Sequence, residues 1–195
     1  FVLKSNIQQL RILQLEVWIA DEQFARADEW LEEKRGEIEE VEYLPLLQGY
    51  TTQLAHRDRH DQAAELLREG IKHFPKNIAL HSQLAELAQV QGQFMQGTKL
   101  LHRAIRLAVE QEEESAELWV KLSSASLHRN DKKARNAAEK AMELAEAMEE
   151  DDDHPPQMLR QLRWQAKNAL AQVESHEQNY DISEPMFREI LEENP

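Results

Sequence analysis

The chain contains no cysteine and few glycines, and both shortages restrict the class of protein. Without thiols there is no disulfide framework, no thiolate nucleophile and no cysteine ligand for zinc or an iron-sulfur cluster. Its five glycines compare with about 14 expected at an average usage of about 7%, and such scarcity argues against a hairpin-rich β protein. Ala, Leu, Glu, Gln, Arg and Lys dominate instead, and these residues favour helices. We therefore predict an all-α protein.

Positive charge and long apolar runs are also in short supply. The chain has 23 Lys and Arg against 37 Asp and Glu, a formal charge of −14. This balance repels a phosphate backbone, so we expect no nucleic-acid partner. Apolar runs are far shorter than the roughly 20 residues needed to cross a bilayer, and no signal-peptide pattern opens the chain. We expect no membrane contact and a cytoplasmic location. Because the chain begins at Phe1 rather than Met, we also expect it to be a fragment of a longer protein.

Apolar residues recur three and four positions apart between short polar breaks. One stripe, Ala63, Leu67, Gly70 and Phe74, runs up to Pro75, which cannot continue the helical hydrogen-bond ladder. Polar turns such as Gln91-Gly92-Gln93 separate other stripes of similar length. Short helices joined by tight turns bury their apolar faces mainly against their neighbours, which is typical of helical repeats.

A repeat period supports this interpretation. The segments that start at Leu44 and Ile78 are offset by 34 residues, the period of a repeated helix-turn-helix unit. The first segment carries Leu47, Tyr50, Thr51, Leu54, Ala63, Leu67, Gly70 and Pro75, and the second carries His81, Leu84, Ala85, Ala88, Gly92, Phe94, Gly97, Leu101 and Ala104. A third carries Trp119, Leu122, Ser123, Ser126, Ala134, Ala138 and Ala141. On these residues the chain resembles the tetratricopeptide repeat (TPR) superfamily.

The resemblance implies a right-handed α-α superhelix, a solenoid of about five helix pairs. The expected units are residues 5–41, 44–75, 78–110, 116–148 and 157–195. Small residues, namely Ala63, Gly97, Ala104 and Ala134, are expected to let paired helices approach closely.

The regular spacing breaks at residues 146–156, where an acidic run is followed by His154-Pro155-Pro156. We expect a solvated connector there, or alternatively a binding element for a basic partner. A long helix should begin near Pro156 or Gln157. Ser183 should cap a last helix that begins at Glu184, which would leave Pro185 in the first turn.

Motifs for catalysis and for cofactors are missing from the sequence. It has no Gly-rich phosphate loop, no nucleophile elbow and no paired-His metalloprotease motif. The run His56-Arg57-Asp58-Arg59-His60-Asp61 has two His four residues apart, but its two arginines oppose a cation and it falls at a turn between helices. We expect a solvated turn there, with no metal, no cofactor and no enzymatic activity.

The resemblance also implies a binding mode, in which the first helix of each pair lines a concave groove. Carried onto this sequence, the inward residues are Gln48, Thr52, His56, Ser82, Glu86, Gln89, Val120, Ser124, His128, Asn168, Gln172 and His176. Because no Lys or Arg occurs among them, we predict that the groove does not bind the C-terminal carboxylate of heat-shock chaperones. The histidines leave two interpretations open: polar residues on a solvated wall, or a peptide site whose affinity changes near pH 6.

We therefore predict a non-catalytic scaffold that binds a partner protein or peptide. Two alternatives remain, namely a sensing domain like those of bacterial transcription activators, and an appendage of an enzyme such as a sulfotransferase. Apolar residues near the two ends, which are Phe1, Val2, Leu3, Phe187 and Ile190, are candidates for self-association.

Overall fold

A computed structural model describes residues 2–127, 131–148 and 155–193, and within these ranges all regular structure is helical. The ten helices are α1 (Val2–Ala20), α2 (Phe24–Lys34), α3 (Glu40–Ala55), α4 (His60–His73), α5 (Ile78–Val90), α6 (Phe94–Gln111), α7 (Ala116–Ser126), α8 (Asp131–Ala147), α9 (Pro156–His176) and α10 (Tyr180–Glu193). The absence of strands from the described ranges confirms the all-α prediction. The helices form five consecutive pairs. The chain divides into two compact units, unit 1 (Phe1–Lys76) and unit 2 (Asn77–Pro195).

The turns inside the helix pairs share one geometry. In each turn that the structure describes in full, one residue adopts the left-handed conformation: Glu22 (φ 57°), Asp58 (φ 59°), Gly92 (φ 74°) and Gln178 (φ 66°). At the third turn, the Gly92 N–H donates to the Gln89 carbonyl (2.9 Å) and the Gln93 N–H donates to the Ala88 carbonyl (2.7 Å). This Schellman pattern satisfies carbonyls that a helix end leaves open. The same local ending therefore recurs along the chain, although only one of the four residues is glycine.

Unit 1 is held together by leucines and by one polar network around Tyr50. Leu31, Leu47, Leu54 and Leu67 are almost fully buried. The Tyr50 hydroxyl lies between the Phe24 carbonyl (3.2 Å) and a carboxylate oxygen of Asp28 (2.8 Å). The other Asp28 oxygen accepts a hydrogen bond from the Gln62 amide (2.7 Å). The network joins α2, α3 and α4, so it fixes the register of the packed helices as well as filling space.

Small residues form the helix contacts of unit 2. Five alanines on one side of α8 are fully or almost fully buried, namely Ala134, the adjacent Ala137 and Ala138, Ala141 and Ala145. They pack into clusters with residues of α7 and α9, including Leu122 and Val173. Short side chains let helix axes approach, and larger neighbours fill the remaining space. Ala63, Ala104 and Ala134, which were expected at close helix contacts, are fully buried.

Gly97 lies where α6 approaches α5 closely. A Cβ atom added at Gly97 would lie 2.9 Å from Cγ of Gln89 and 3.0 Å from the carbonyl oxygen of Ala85. Both distances are too short for ordinary contacts, so α6 can lie this close to α5 only with glycine at this position.

Three prolines test the predicted helix ends. Helix α4 stops at His73, before Pro75, and α9 begins at Pro156, as predicted. The predicted start of the last helix at Glu184 is wrong, because α10 begins at Tyr180 and contains both Ser183 and Pro185. Pro185 removes a hydrogen bond to the carbonyl of Asp181, which lies in the exposed first turn where water can replace the donor.

The connector predicted at residues 146–156 lies partly outside the described residues. Its beginning is visible, because α8 ends at Ala147. The Arg163 guanidinium on α9 donates to the carbonyls of Ala145 (3.1 Å) and Met148 (3.0 Å). A cationic side chain thus satisfies the carbonyl end of α8 and ties it to α9.

Candidate functional site

The predicted groove residues fall in both units. In unit 1, Gln48 is half-buried, and Thr52 and His56 are exposed along the last turns of α3. In unit 2, Ser82, Glu86 and Gln89 lie on α5, Val120 and Ser124 on α7, and Asn168, Gln172 and His176 on α9. His128 lies outside the described residues. Among these residues, Gln89 of α5 and Ser124 of α7 line one pocket. We call the surface that carries Ser82, Glu86, Gln89 and Ser124 the α5–α7 face.

An open pocket of about 470 Å³ lies at one end of the α5–α7 face. Gln89 and Ser124 line it together with Ala125 and with residues 92–96 of the α5–α6 turn. Two of the lining residues have exposed apolar side chains, because Phe94 is 49% and Met95 57% exposed. The pocket therefore combines an amide and a hydroxyl, which can bond to a peptide backbone, with apolar surface for a side chain.

Lys121 is the residue that sequence reasoning missed on this face. Its ammonium group lies 2.6 Å from a carboxylate oxygen of Glu86, 2.6 Å from one of Glu117 and 3.2 Å from the Ser82 hydroxyl. The predicted inward residues include no cation, yet the structure places this one against Ser82 and Glu86. Lys121 directly follows the predicted Val120, and the length of a lysine side chain was the signal that could have found it.

The protonation of Lys121 follows from its neighbours. Burial by itself would lower the pKa of the ammonium, but hydrogen bonds from Lys121 to Glu117 and Glu86 outweigh it, so the pKa is raised above its ordinary value. Lys121 is therefore positively charged at neutral pH and stays paired with the two carboxylates.

Two predicted groove residues, Ser82 and Val120, are less exposed to a ligand than the prediction implied. Ser82 is only 5% exposed, because it lies in the packed part of α5. Val120 is half-buried and packs against apolar clusters that join α7 to α8 and α9. The predicted positions assume a regular orientation of each first helix, whereas local packing decides how far each side chain reaches solvent.

The three predicted groove residues of α9 lie outside the pocket that Gln89 and Ser124 line. Asn168 and Gln172 are half-buried, and His176 is exposed at the last residue of the helix. None of the three lines the pocket described above. The hypothesis that the histidines His56, His128 and His176 make peptide affinity change near pH 6 stays a prediction.

The His56–Asp61 run spans the α3–α4 turn, as expected. His56 caps α3, Asp58 has the left-handed conformation and His60 begins α4. Within the run, His60 Nε2 lies 3.7 Å from Asp58 Oδ1. In the part of the chain that the structure describes, no group of three or more His, Asp or Glu is arranged to hold a metal ion.

The prediction of apolar residues for self-association needs a correction. Ile190 is only 5% exposed and Phe187 is half-buried, on a helix that packs against α9. The apolar residues that α10 exposes are Tyr180, Ile182 and Leu191. Phe1 is outside the described residues, as are the side-chain environments of Val2 and Leu3. Among the described helices, none is both long and apolar enough to cross a lipid bilayer.

Comparison with known proteins finds similar structures only. No protein-family model and no curated protein sequence matches the chain. BtubC (BKLC) from P. vanneervenii is 15% identical with a TM-score of 0.73, over 92% of this chain and 76% of that one. A putative kinesin light chain from Podosopora anserina, with nearly identical TPR-like repeats, is 12% identical with a TM-score of 0.66, over 95% and 93%. YrrB, a TPR protein with an unusual peptide-binding site, is 14% identical with a TM-score of 0.53, over 77% and 68%. The likeness is one of fold.

Proposed function

We propose, from the premise that this chain has a TPR-type repeat fold, that it is a non-catalytic interaction module. In this proposal an extended peptide segment of a partner protein binds on the α5–α7 face of unit 2. The structural likeness to TPR proteins supports protein binding in general, and YrrB shows that this fold can carry a peptide-binding site.

One observation carries the choice of this face. The pocket joins the polar groups of Gln89 and Ser124 to the exposed apolar side chains of Phe94 and Met95. A peptide needs both kinds of contact, because its backbone must keep its hydrogen bonds while a side chain leaves water. Chemistry would need an acid or a base in the pocket, for example to activate the Ser124 hydroxyl as a nucleophile, and the lining residues supply neither.

Selection of random dodecapeptides on the intact chain tests this proposal. Peptides enriched by phage display should lose at least about tenfold in affinity on Met95→Asp, because a buried apolar contact is replaced by a charge that must be desolvated. Fluorescence polarisation with the synthesised peptides measures this loss.

Met158→Asp is the matched control. Met95 and Met158 are both exposed methionines in the first turn of a helix, where an acidic residue is tolerated. Met158 does not line the pocket, so its variant should bind the peptides like the parent chain. Equal binding by the parent chain and Met95→Asp, or no enrichment of any peptide, would contradict the proposed site.

A further inference from the structure

The charged groups beside the pocket are unequally open to solvent. The Lys121 side chain is 27% exposed, whereas the Glu86 and Glu117 side chains that pair with it are 48% and 59% exposed. The three acceptors around Lys121 can take all three ammonium protons. A ligand that approaches this face therefore meets carboxylate oxygens first, and the cluster keeps a net charge of −1.

The cluster and the pocket are continuous along the two helices. Glu86 is three residues from Gln89 on α5, and Lys121 is three residues from Ser124 on α7. Residues three apart lie on one helix face, about 4.5 Å apart along the axis. One or two residues of an extended peptide cover that distance, since each spans about 3.3 Å.

We propose that the α5–α7 face selects peptides that combine an apolar side chain with a Lys or Arg one to three residues away. This inference rests on the proposed function. The apolar side chain enters the pocket beside Phe94 and Met95, and the cation binds the exposed oxygens of Glu86 and Glu117. An acidic peptide meets the same oxygens and is repelled, so the charge of the cluster sets the choice of partner.

Short synthetic peptides of defined sequence test the inference on the intact chain. A set of acetylated hexapeptides carries one Leu or Phe and, two residues away, Lys, Ala or Glu in an otherwise Ala and Ser sequence. The Lys peptides should bind about three- to fivefold more tightly than the Ala peptides, the usual size of an exposed ion pair, and Glu peptides most weakly. The difference between Lys and Ala should shrink as salt rises from about 50 to about 500 mM, because the contact is exposed.

Charge variants distinguish this selection from non-specific electrostatic binding. Glu86→Gln with Glu117→Gln should make Lys and Ala peptides bind equally, and Lys121→Gln should widen the Lys preference because it leaves both carboxylates unpaired. Glu110→Gln with Glu113→Gln, in the last turn of α6 and just beyond its end, removes the same charge from two exposed residues outside the face and should leave peptide binding unchanged. Circular dichroism and thermal unfolding establish that each variant is folded.

The outcomes distinguish the two proposals. If Met95→Asp weakens binding of the Ala peptides but Lys and Ala peptides bind equally to the parent chain, the proposed charge selection is wrong and the proposed peptide site in the pocket is supported. If Glu peptides bind as tightly as Lys peptides, or the preference persists in the Glu86→Gln and Glu117→Gln variant, the inference is overturned. If no peptide binds at millimolar concentration, or Met95→Asp has no effect, the proposed function itself fails.

Discussion

Two clusters in unit 2 contain the same kinds of charge in different surroundings. On the α5–α7 face, Lys121 holds Glu86 and Glu117, whose side chains are about half exposed. Where α8 meets the end of α9, Arg135 holds Glu174 and Glu177, and the Glu174 side chain is only 7% exposed.

The buried cluster is also more completely bonded. Arg135 donates to Glu174 and, at 2.7 Å, to Glu177, while the second oxygen of Glu174 accepts from the Asn179 amide at 2.8 Å. Each of the four carboxylate oxygens of Glu174 and Glu177 therefore has a hydrogen-bond partner within the cluster. The comparison teaches that burial, and not the composition of a charge cluster, separates a structural tie from a surface that can receive a partner.

The largest effect is expected from breaking the buried cluster. Arg135→Met leaves the Glu174 carboxylate buried without its cation, so the free energy of unfolding should fall by about 2 to 3 kcal/mol. Chemical denaturation monitored by circular dichroism measures the change. Adding Glu174→Gln should recover part of the loss, because the unpaired charge is gone, and a double variant no more stable than Arg135→Met would contradict this account.

Arg188→Met is the surface control for that experiment. Arg188 pairs with Glu184 on α10, but both side chains are largely exposed, at 72% and 67%. Stability should therefore hardly change. A loss as large as that of Arg135→Met would show that removal of any guanidinium, rather than burial, explains the effect.

The next largest effect on stability is expected from Gly97, where α6 lies against the backbone of α5. Gly97→Ala should destabilise the chain by about 1 to 2 kcal/mol, because the new methyl group meets the carbonyl of Ala85 and the side chain of Gln89. It should also weaken peptide binding, since Gln89 lines the pocket. Gly49→Ala, in α3 with no atom within 4 Å of the added carbon, should be stabilising instead. Thermal unfolding of both variants checks the opposite signs.

A smaller effect is expected when the pH is lowered, because the buried cluster should lose stability as Glu174 becomes protonated. The hydrogen bond from Arg135 lowers the pKa of Glu174 below its ordinary 4.5, burial opposes the shift, and Asn179 adds to it. The carboxylate therefore stabilises the fold above pH 4.5, and this contribution is lost as the pH falls through the lower folded pKa. Denaturation between about pH 6 and about pH 3 should show a steeper loss in the parent chain than in Glu174→Gln, and parallel curves would contradict the shift.

The smallest effect is expected at Lys121. Its raised pKa means that the ammonium stabilises the fold below pH 10.5, and this contribution is lost as the pH rises through the higher folded pKa. Because its carboxylates are exposed, Lys121→Met should cost less than about 1 kcal/mol at pH 7. Denaturation at neutral pH and above pH 10.5 checks both statements. A loss equal to that of Arg135→Met would remove the contrast between the clusters.

The fold could be predicted from the sequence because its determinants are local. Helices of this kind need apolar residues three and four apart, turn residues between them and small residues at close contacts, and all three are visible in segments such as that from Leu44 to Pro75. The start of α10 was predicted wrongly because Ser183 and Pro185 together imitate a helix start, while the contacts that bury Ser183 are not visible in the sequence.

The candidate site could be predicted only in part. The pocket contains Gln89 and Ser124 from the predicted set, but Phe94 and Met95 were assigned to packing or left unassigned. Lys121 was missed because its partner Ser82 lies 39 residues away, and the distance between their helices depends on every packed side chain between them.

An all-α chain of paired helices with a TPR-type repeat can be predicted from the sequence, because helix periodicity, turn residues and repeat spacing are properties of neighbouring positions. Which charges are buried and which face solvent depends on tertiary packing. Lys121 and Arg135 look alike in the sequence, since each is a cation with a glutamate four residues away, Glu117 and Glu139 respectively. Their different surroundings arise because packing encloses Glu174 and leaves Glu86 and Glu117 open to water.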